Sequence, residues 1–339
     1  MKGSKLKKNI ERVRNPPPLP EIDDATRREF LIGAGALLVI APFGCGGEES
    51  GESAQTTSPG ESNVPSASAL ESVIVLEGRR DLETSLALGL PVVGAPAASP
   101  DEPFSEHLGD RVADVEPLFA RGEPNLEAIA AQEPDLILSR EGDPRELGIK
   151  EDLTTIAPLL TVSAGEVPWQ RDLRSVADTL GVGERAEQLI TDYEGRVSEV
   201  AARHEDVLDR PLAVVQYTTG GNLYWSAPDG FLLQPKVLAD VGGQFVEAQK
   251  EAGYSEDWSQ ELIDERLSEA AGILLITALE PEAELAELDD LELWQQLDAV
   301  QSGVVETVPF QLNYGSVIAA NVALDAMDSL LAKLFEATG

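Results

Sequence analysis

The sequence predicts an α/β fold: two α/β lobes separated by one long helix. Three observations predict it. Short β-rich runs alternate with amphipathic helical stretches from Leu70 onward. A proline-free stretch of helical periodicity sits mid-chain. After that stretch the alternation begins again.

Each element follows from local pattern. Ser72-Val73-Ile74-Val75-Leu76 is a β-rich run, and residues 81–88 form an amphipathic helix closed by Gly89. Pro91-Val92-Val93-Gly94 gives a second short strand. Residues 125–132 read as a helix, and Pro134-Asp135-Leu136-Ile137-Leu138-Ser139 as a buried strand after a proline turn. Residues 156–162 are extended, and residues 169–180 are helical up to Gly181. Residues 184–208 carry Ala186, Leu189, Ile190, Tyr193, Val197, Val200 and Ala201 at spacings of mainly three and four. About 25 residues at 1.5 Å each make a helix near 37 Å long. Strands are then expected at 212–218, 222–226, 272–278 and 304–308, with helices at 230–241 and 315–335.

Composition limits the function. The chain has 339 residues, 61 acidic against 25 basic, two histidines, one cysteine and a net charge of −36. At 42% hydrophobic it can bury a core. A single cysteine excludes an intramolecular disulfide and a Cys-based zinc site. His107 and His204 lie far apart, which leaves no His-rich metal site. So negative a surface repels phosphate backbones and disfavours nucleic acid as a partner.

The first 45 residues are different. They hold eight basic and five acidic residues, which leaves 17 basic and 56 acidic in the remainder, a balance of −39. Thr26-Arg27-Arg28-Glu29-Phe30-Leu31 precedes an apolar run of about 13 residues, too short to span a bilayer. A basic region followed by a short apolar core describes an export signal. The paired arginines before Phe-Leu resemble the twin-arginine motif. Gly44-Cys45 resembles a lipoprotein cleavage site, with Cys45 as the lipidated residue, although Pro42 and Phe43 depart from the usual pattern. Gly33-Ala34-Gly35 follows no strand and is not a dinucleotide fingerprint. Residues 46–69 form a polar, flexible linker. The expected plan is signal 1–45, linker 46–69, first lobe 70–182, linking helix 183–209 and second lobe 210–339. The expected location is the outer face of the cell membrane, with the body held there by lipid on Cys45.

Over residues 70–336 the sequence resembles the iron–siderophore substrate-binding proteins of ABC importers. The resemblance is carried in the first lobe by Glu83-Thr84-Ser85-Leu86-Ala87-Leu88-Gly89, Pro91-Val92-Val93-Gly94, Glu123-Pro124-Asn125-Leu126-Glu127-Ala128-Ile129 and Pro134-Asp135-Leu136-Ile137-Leu138. In the second lobe it is carried by Ser259-Gln260-Glu261-Leu262, Trp294-Gln295-Gln296-Leu297-Asp298-Ala299-Val300 and Gly303-Val304-Val305. It implies two Rossmann-like lobes on one rigid helix, a ligand cleft between them, a small lobe movement on binding, and delivery to a membrane permease. It implies no catalytic activity and no cofactor; the ligand would be an Fe(III)-siderophore. Members meet permease arginines with one acidic residue per lobe, and the matching positions are Glu127 and Glu261.

Ligands of open α/β sheets bind beyond the carboxyl ends of the strands. That rule selects Arg79, Arg80 and Arg140, whose guanidinium forks suit the oxygen atoms of hydroxamate, catecholate or carboxylate chelates. It also selects Tyr217, Trp225 and Tyr314 as flat walls, together with Trp169 before the last helix of the first lobe. The bland reading stands beside it: Arg79 and Arg80 could pair with Asp81 or Glu83, and the tyrosines could be half-buried strand residues. Haem and cobalamin suit the same scaffold. Their axial ligand would come from Tyr217, Tyr224, Tyr314 or a histidine, with His107 expected on a surface loop and His204 on the polar face of the long helix. A sensor lipoprotein and an exported enzyme are the competing classes. No Gly-x-Ser-x-Gly elbow or His-Glu-x-x-His helix supports the latter. The acidity exceeds what permease docking needs and suggests a salt-rich habitat.

Overall fold

The computed structural model describes residues 64–120, 124–140, 148–162, 168–219, 222–228, 230, 232–252, 256–277 and 281–339. Arg27, Arg28 and Cys45, with the export and lipidation readings that rest on them, lie outside the described residues. The linker was expected to run to residue 69. Its last residues are seated instead: Val64 and Ala67 pack on the core, and Ala67 N–H donates to the Leu180 carbonyl at 2.9 Å.

The first sheet contains β1 (Val73–Val75), β2 (Val92–Ala97), β3 (Glu116–Ala120), β4 (Leu136–Arg140) and β5 (Leu159–Val162). Its order is β3-β2-β1-β4-β5, and every neighbouring pair is parallel. A parallel sheet is covered on both faces, which is why β1 reads Val-Ile-Val without alternation and all three residues are buried. The covering helices are α1 (Arg80–Leu88), α2 (Leu126–Ala131), α3 (Lys150–Ile156) and α4 (Trp169–Thr179). Gly89, at φ 77°, ends α1 in the left-handed conformation that glycine adopts without steric cost.

A single helix, α5 (Gly183–Arg203), follows. Its 21 residues span about 32 Å. It is shorter than expected because His204 leaves the helical conformation and turns inward, its ring buried and its Nε2 2.6 Å from Asp328 Oδ1. His204 therefore does not lie on a polar helix face.

The second sheet contains β6 (Pro211–Thr218), β7 (Asn222–Trp225), β8 (Gln244–Phe245), β9 (Glu256–Ser259), β10 (Gly272–Thr277) and β11 (Val305–Pro309). Its main order is β11-β10-β6-β7-β9, with β8 pairing on β6. Strands β6, β10 and β11 are parallel, whereas β7 runs antiparallel to β6 and β9. The expected parallel sheet is thus mixed. Only three residues separate β6 from β7, enough for a hairpin and too few for a crossover. Helices α6 (Leu233–Asp240), α7 (Glu247–Lys250), α8 (Ile263–Leu267), α9 (Pro281–Asp289), α10 (Glu292–Gln295), α11 (Asp298–Gln301) and α12 (Val317–Thr338) complete this half.

One apolar cluster runs from the first sheet to the second. It includes Val73 and Leu138 on one side, Val214 and Ile276 on the other, and residues of α5 and α12 between them. Helix α12 packs on α1 as well as on α5, α6, β10 and β11. The two sheets are therefore joined by two helices and a continuous core.

Candidate ligand-binding site

The carboxyl ends of the central strands open into two adjoining cavities. The larger, about 340 Å³, is lined by Gln216, Thr218, Tyr224, Trp225, Asn313 and Tyr314, among others. The smaller, about 130 Å³, is lined by Glu77, Arg79, Pro96, Phe104, Phe310 and Gln311, among others. Phe310 lines both, so the cavities form one cleft between the sheets.

Strand periodicity decides which side chains reach it. Val214, Gln216 and Thr218 face the cavity, whereas Ala213, Val215 and Tyr217 face the opposite core. Tyr217 is 1% exposed and its hydroxyl donates to Glu287 Oε2 at 3.1 Å, so it is a core residue and not a cleft wall. Gln216, which the strand-end rule passed over, takes that place together with Thr218, the next cleft-facing residue of β6. The period-2 alternation of β6 was the signal that could have found Gln216. Tyr224 lies opposite Gln216 in the hairpin register and lines the same cavity. Trp225 lines the cavity and packs in the opposite core, with the Arg266 guanidinium 5.2 Å from its ring centroid. Asn313 is fully buried; its Nδ2 donates to Gln216 Oε1 at 3.4 Å, and its Oδ1 has no hydrogen-bond partner among the described residues.

The first sheet supplies charge. Arg79 is the most open of the three arginines, its side chain 26% exposed. Its Nε donates to Glu77 Oε1 at 3.3 Å, and its guanidinium lies over the Tyr314 ring at 4.3 Å. A cation over an aromatic face is attracted by the ring quadrupole, and here the pair spans the cleft. Arg140, 17% exposed, donates to Asp172 Oδ2 at 3.1 Å and to Asp81 Oδ1. Burial works against its charged form, but Asp81 and Asp172 outweigh burial and move its pKa up. Burial pushes Asp81 up to about 7; Arg140 opposes the shift, while Glu77 and Asp172 add to it.

Arg80 and Trp169 are placed differently from expectation. Arg80 is buried and donates to Asp172 Oδ2 at 3.1 Å and to the Gly315 carbonyl at 3.3 Å. It ties the first turn of α1 to the entry of α12 and does not line the cleft cavities described above. Trp169 is 3% exposed and meets Tyr193 edge-on, ring centroids 5.2 Å apart. It begins the apolar stripe Trp169, Leu173, Val176 of α4, so helical periodicity turns it into the core.

The tie at α1 has further members that strand-end reasoning did not select. Buried Glu83 accepts from Ser316 N–H at 2.8 Å and Ala319 N–H at 3.0 Å, capping α12 with a carboxylate from α1. Thr84 Oγ1 donates to Ser316 Oγ at 3.0 Å. A Cβ on Gly315 would stand 2.8 and 2.9 Å from the Glu83 oxygens and 2.2 Å from Ala319 Cβ, so the close approach requires glycine. His107, expected on a surface loop, has its side chain 7% exposed and its Nε2 2.8 Å from Glu83 Oε1.

Glu127 and Glu261 are both exposed. Glu127 opens α2, where Asn125 Oδ1 accepts from the Glu127 and Ala128 N–H groups at 3.1 Å each. Glu261 lies in the short turn Gln260–Leu262 that follows β9. Among the described residues, no group of three or more His, Cys, Asp or Glu side chains is arranged to hold a metal ion.

Comparison with known proteins agrees with this architecture. The family model described as periplasmic binding protein matches residues 75–312. A curated relative, the probable siderophore-binding lipoprotein YfiY of Bacillus subtilis (strain 168), is 26% identical over 288 residues, covering 80% of this chain and 85% of the relative. Among solved structures, the siderophore periplasmic binding protein from the fuscachelin gene cluster of Thermobifida fusca superposes with a TM-score of 0.63 at 26% identity, covering 80% of this chain and 98% of that one. The triscatecholate siderophore binding protein FeuA of Bacillus subtilis, complexed with ferri-bacillibactin, shares the fold with a TM-score of 0.62 at 22% identity, covering 76% and 92% of the two chains.

Proposed function

The chain belongs to the periplasmic binding protein family, and we propose that it is the substrate-binding lipoprotein of an ABC importer that captures a ferric siderophore in the cleft. One observation carries the reading: a cavity of about 340 Å³ with tyrosine, tryptophan and amide walls faces an arginine held over Tyr314 by the opposite sheet. Aromatic faces suit the carbon skeleton of a chelate, and the guanidinium suits its oxygen atoms. Asn313 Oδ1 is a buried acceptor, and leaving one unpaired costs about 1–3 kcal/mol, which a donor on the chelate would recover. Iron reaches the protein already wrapped, because the chain has two histidines, each hydrogen-bonded to a carboxylate.

Relatives described as siderophore-binding proteins support the same ligand class. For haem or cobalamin, the tyrosines facing the cavity that could offer an axial oxygen are Tyr224 and Tyr314. Lipid on Cys45 would hold the body at the outer face of the cell membrane. Glu127 and Glu261 would set the orientation of a basic permease surface, since exposed charges govern encounter and register more than affinity.

The test is a fluorescence titration of the protein with a ferric trihydroxamate, a ferric triscatecholate, ferric citrate, haem and cobalamin. At least one ferric chelate quenches Trp/Tyr emission saturably at micromolar or tighter affinity; no saturable response to any ferric chelate removes the reading. Charge reversal of Glu127 together with Glu261 abolishes uptake in cells and leaves chelate affinity within twofold. A tenfold affinity loss in that variant would place those residues at the ligand instead.

A further inference from the structure

A third cavity, of about 400 Å³, lies outside the cleft, between α1, the turn Glu106–Val112, α5 and α12. Its size falls within the range of small-molecule sites. Its apolar lining includes Leu86, Leu189, Val317, Ile318 and Val322. Arg111 and Arg185 also line it, one from the turn and one from α5.

The charges here run against the rest of the chain. With 61 acidic residues to 25 basic ones, carboxylates are plentiful, and Arg174, Arg196 and Arg203 each have one, whereas Arg171 and Arg210 have none among the described residues. Neither Arg111 nor Arg185 has an acidic partner among the described residues. The carboxylate in the lining, Asp325, is ion-paired with Arg196, which also binds Asn321 Oδ1. His107 is a second, independent pointer. Its ring lines the cavity with the side chain more than nine-tenths buried, Nε2 is held by Glu83, and Nδ1 is buried with no partner. Two uncommitted guanidinium groups beside an apolar floor select a ligand with an anionic head and a hydrocarbon body, and the unpaired imidazole nitrogen is a buried polar group that a ligand or a water on it would satisfy.

We propose that this cavity is a second ligand site, which binds a small amphipathic carboxylate with its head on Arg111 and Arg185 and its chain over Leu86, Leu189 and Ile318. The site is independent of the cleft ligand, although Glu83 touches both regions through His107 and the first turn of α12.

Calorimetric titration of the full chain with octanoate, octanol and sulfate tests it. Octanoate binds saturably at one per chain, and octanol and sulfate bind at least tenfold more weakly. Arg111→Glu combined with Arg185→Glu weakens octanoate at least tenfold, while the unfolding midpoint and any ferric-chelate affinity stay unchanged. Because charge reversal could perturb the fold, Arg111→Gln with Arg185→Gln serves as a milder pair with the same expected direction. Four results would overturn the proposal: no saturable octanoate binding, equal binding of sulfate, unchanged octanoate affinity in both variant pairs, or displacement of octanoate by ferric chelate. Failure of the cleft to bind any ferric chelate would leave the octanoate result standing, so the two readings fail separately.

Discussion

The two walls of the cleft solve different problems. The wall from the first sheet carries Glu77 and Arg79, backed by a buried ionic cluster in which Asp81 and Asp172 meet Arg80 and Arg140. The wall from the second sheet is uncharged and built from Gln216, Thr218, Tyr224, Trp225, Asn313 and Tyr314. Buried ions are costly to leave unpaired, so the first wall spends most of its arginine on its own carboxylates and on the α12 entry. Amides and phenols carry no such demand and can face an open cavity. The contrast teaches that an arginine at a strand end is not by that fact a ligand residue: of the three, Arg79 is the one whose main contact lies across the cleft.

The largest expected effect breaks the tie that Arg80 makes. Arg80→Ala removes a buried guanidinium from Asp172 and from the Gly315 carbonyl, and should cost about 3–5 kcal/mol in urea unfolding. A loss under about 1 kcal/mol would mean that the two sheets are not held together there. Arg79→Ala sharpens the same contrast from the other side. It should reduce ferric-chelate affinity ten- to hundredfold, through one lost charge-assisted contact, with little change in stability. Tyr224→Ala should likewise lower affinity, whereas Tyr217→Phe should leave it within twofold because that ring faces the other core. Equal affinity losses for Tyr224→Ala and Tyr217→Phe would contradict the facing assigned to β6.

A further effect concerns pH. Asp81 is raised from 3.8 to about 7, so between these values the folded chain holds a proton that the unfolded chain has released. Stability from this group is therefore greatest below pH 4 and falls as pH rises towards 7. Unfolding curves of Asp81→Asn should show a flatter profile across that window. An unaltered profile would show that Arg140 holds the carboxylate ionised throughout.

Much of the fold was legible because burial writes itself into sequence. The run Val73-Ile74-Val75 announces a strand covered on both faces, and Gly89 marks the end of α1. The antiparallel β7 was legible as a strand but not in direction, which depends on the short connection from β6. Strand β3 escaped notice because it is a largely exposed edge strand with Pro117 near its start and no β-branched residue to mark it. The cleft was half legible. Arg79, Trp225 and Tyr314 stand where strand-end reasoning put them, but Tyr217 and Trp169 are turned away by the periodicities of their own elements. Glu83 and Asp172 were hidden for a different reason. In so acidic a chain, carboxylates that are buried and paired look like the exposed ones until the partners from distant segments are in place.

The most direct test of the cleft is a crystal structure of the protein saturated with the ferric chelate it binds most tightly. The chelate should sit between the sheets, within about 4 Å of both the Arg79 guanidinium and the Tyr224 ring, at van der Waals or hydrogen-bond range. The contacts of Arg80 with Asp172 and Gly315 should be unbroken. A chelate bound outside the cleft, or contacting one sheet alone, would contradict the account.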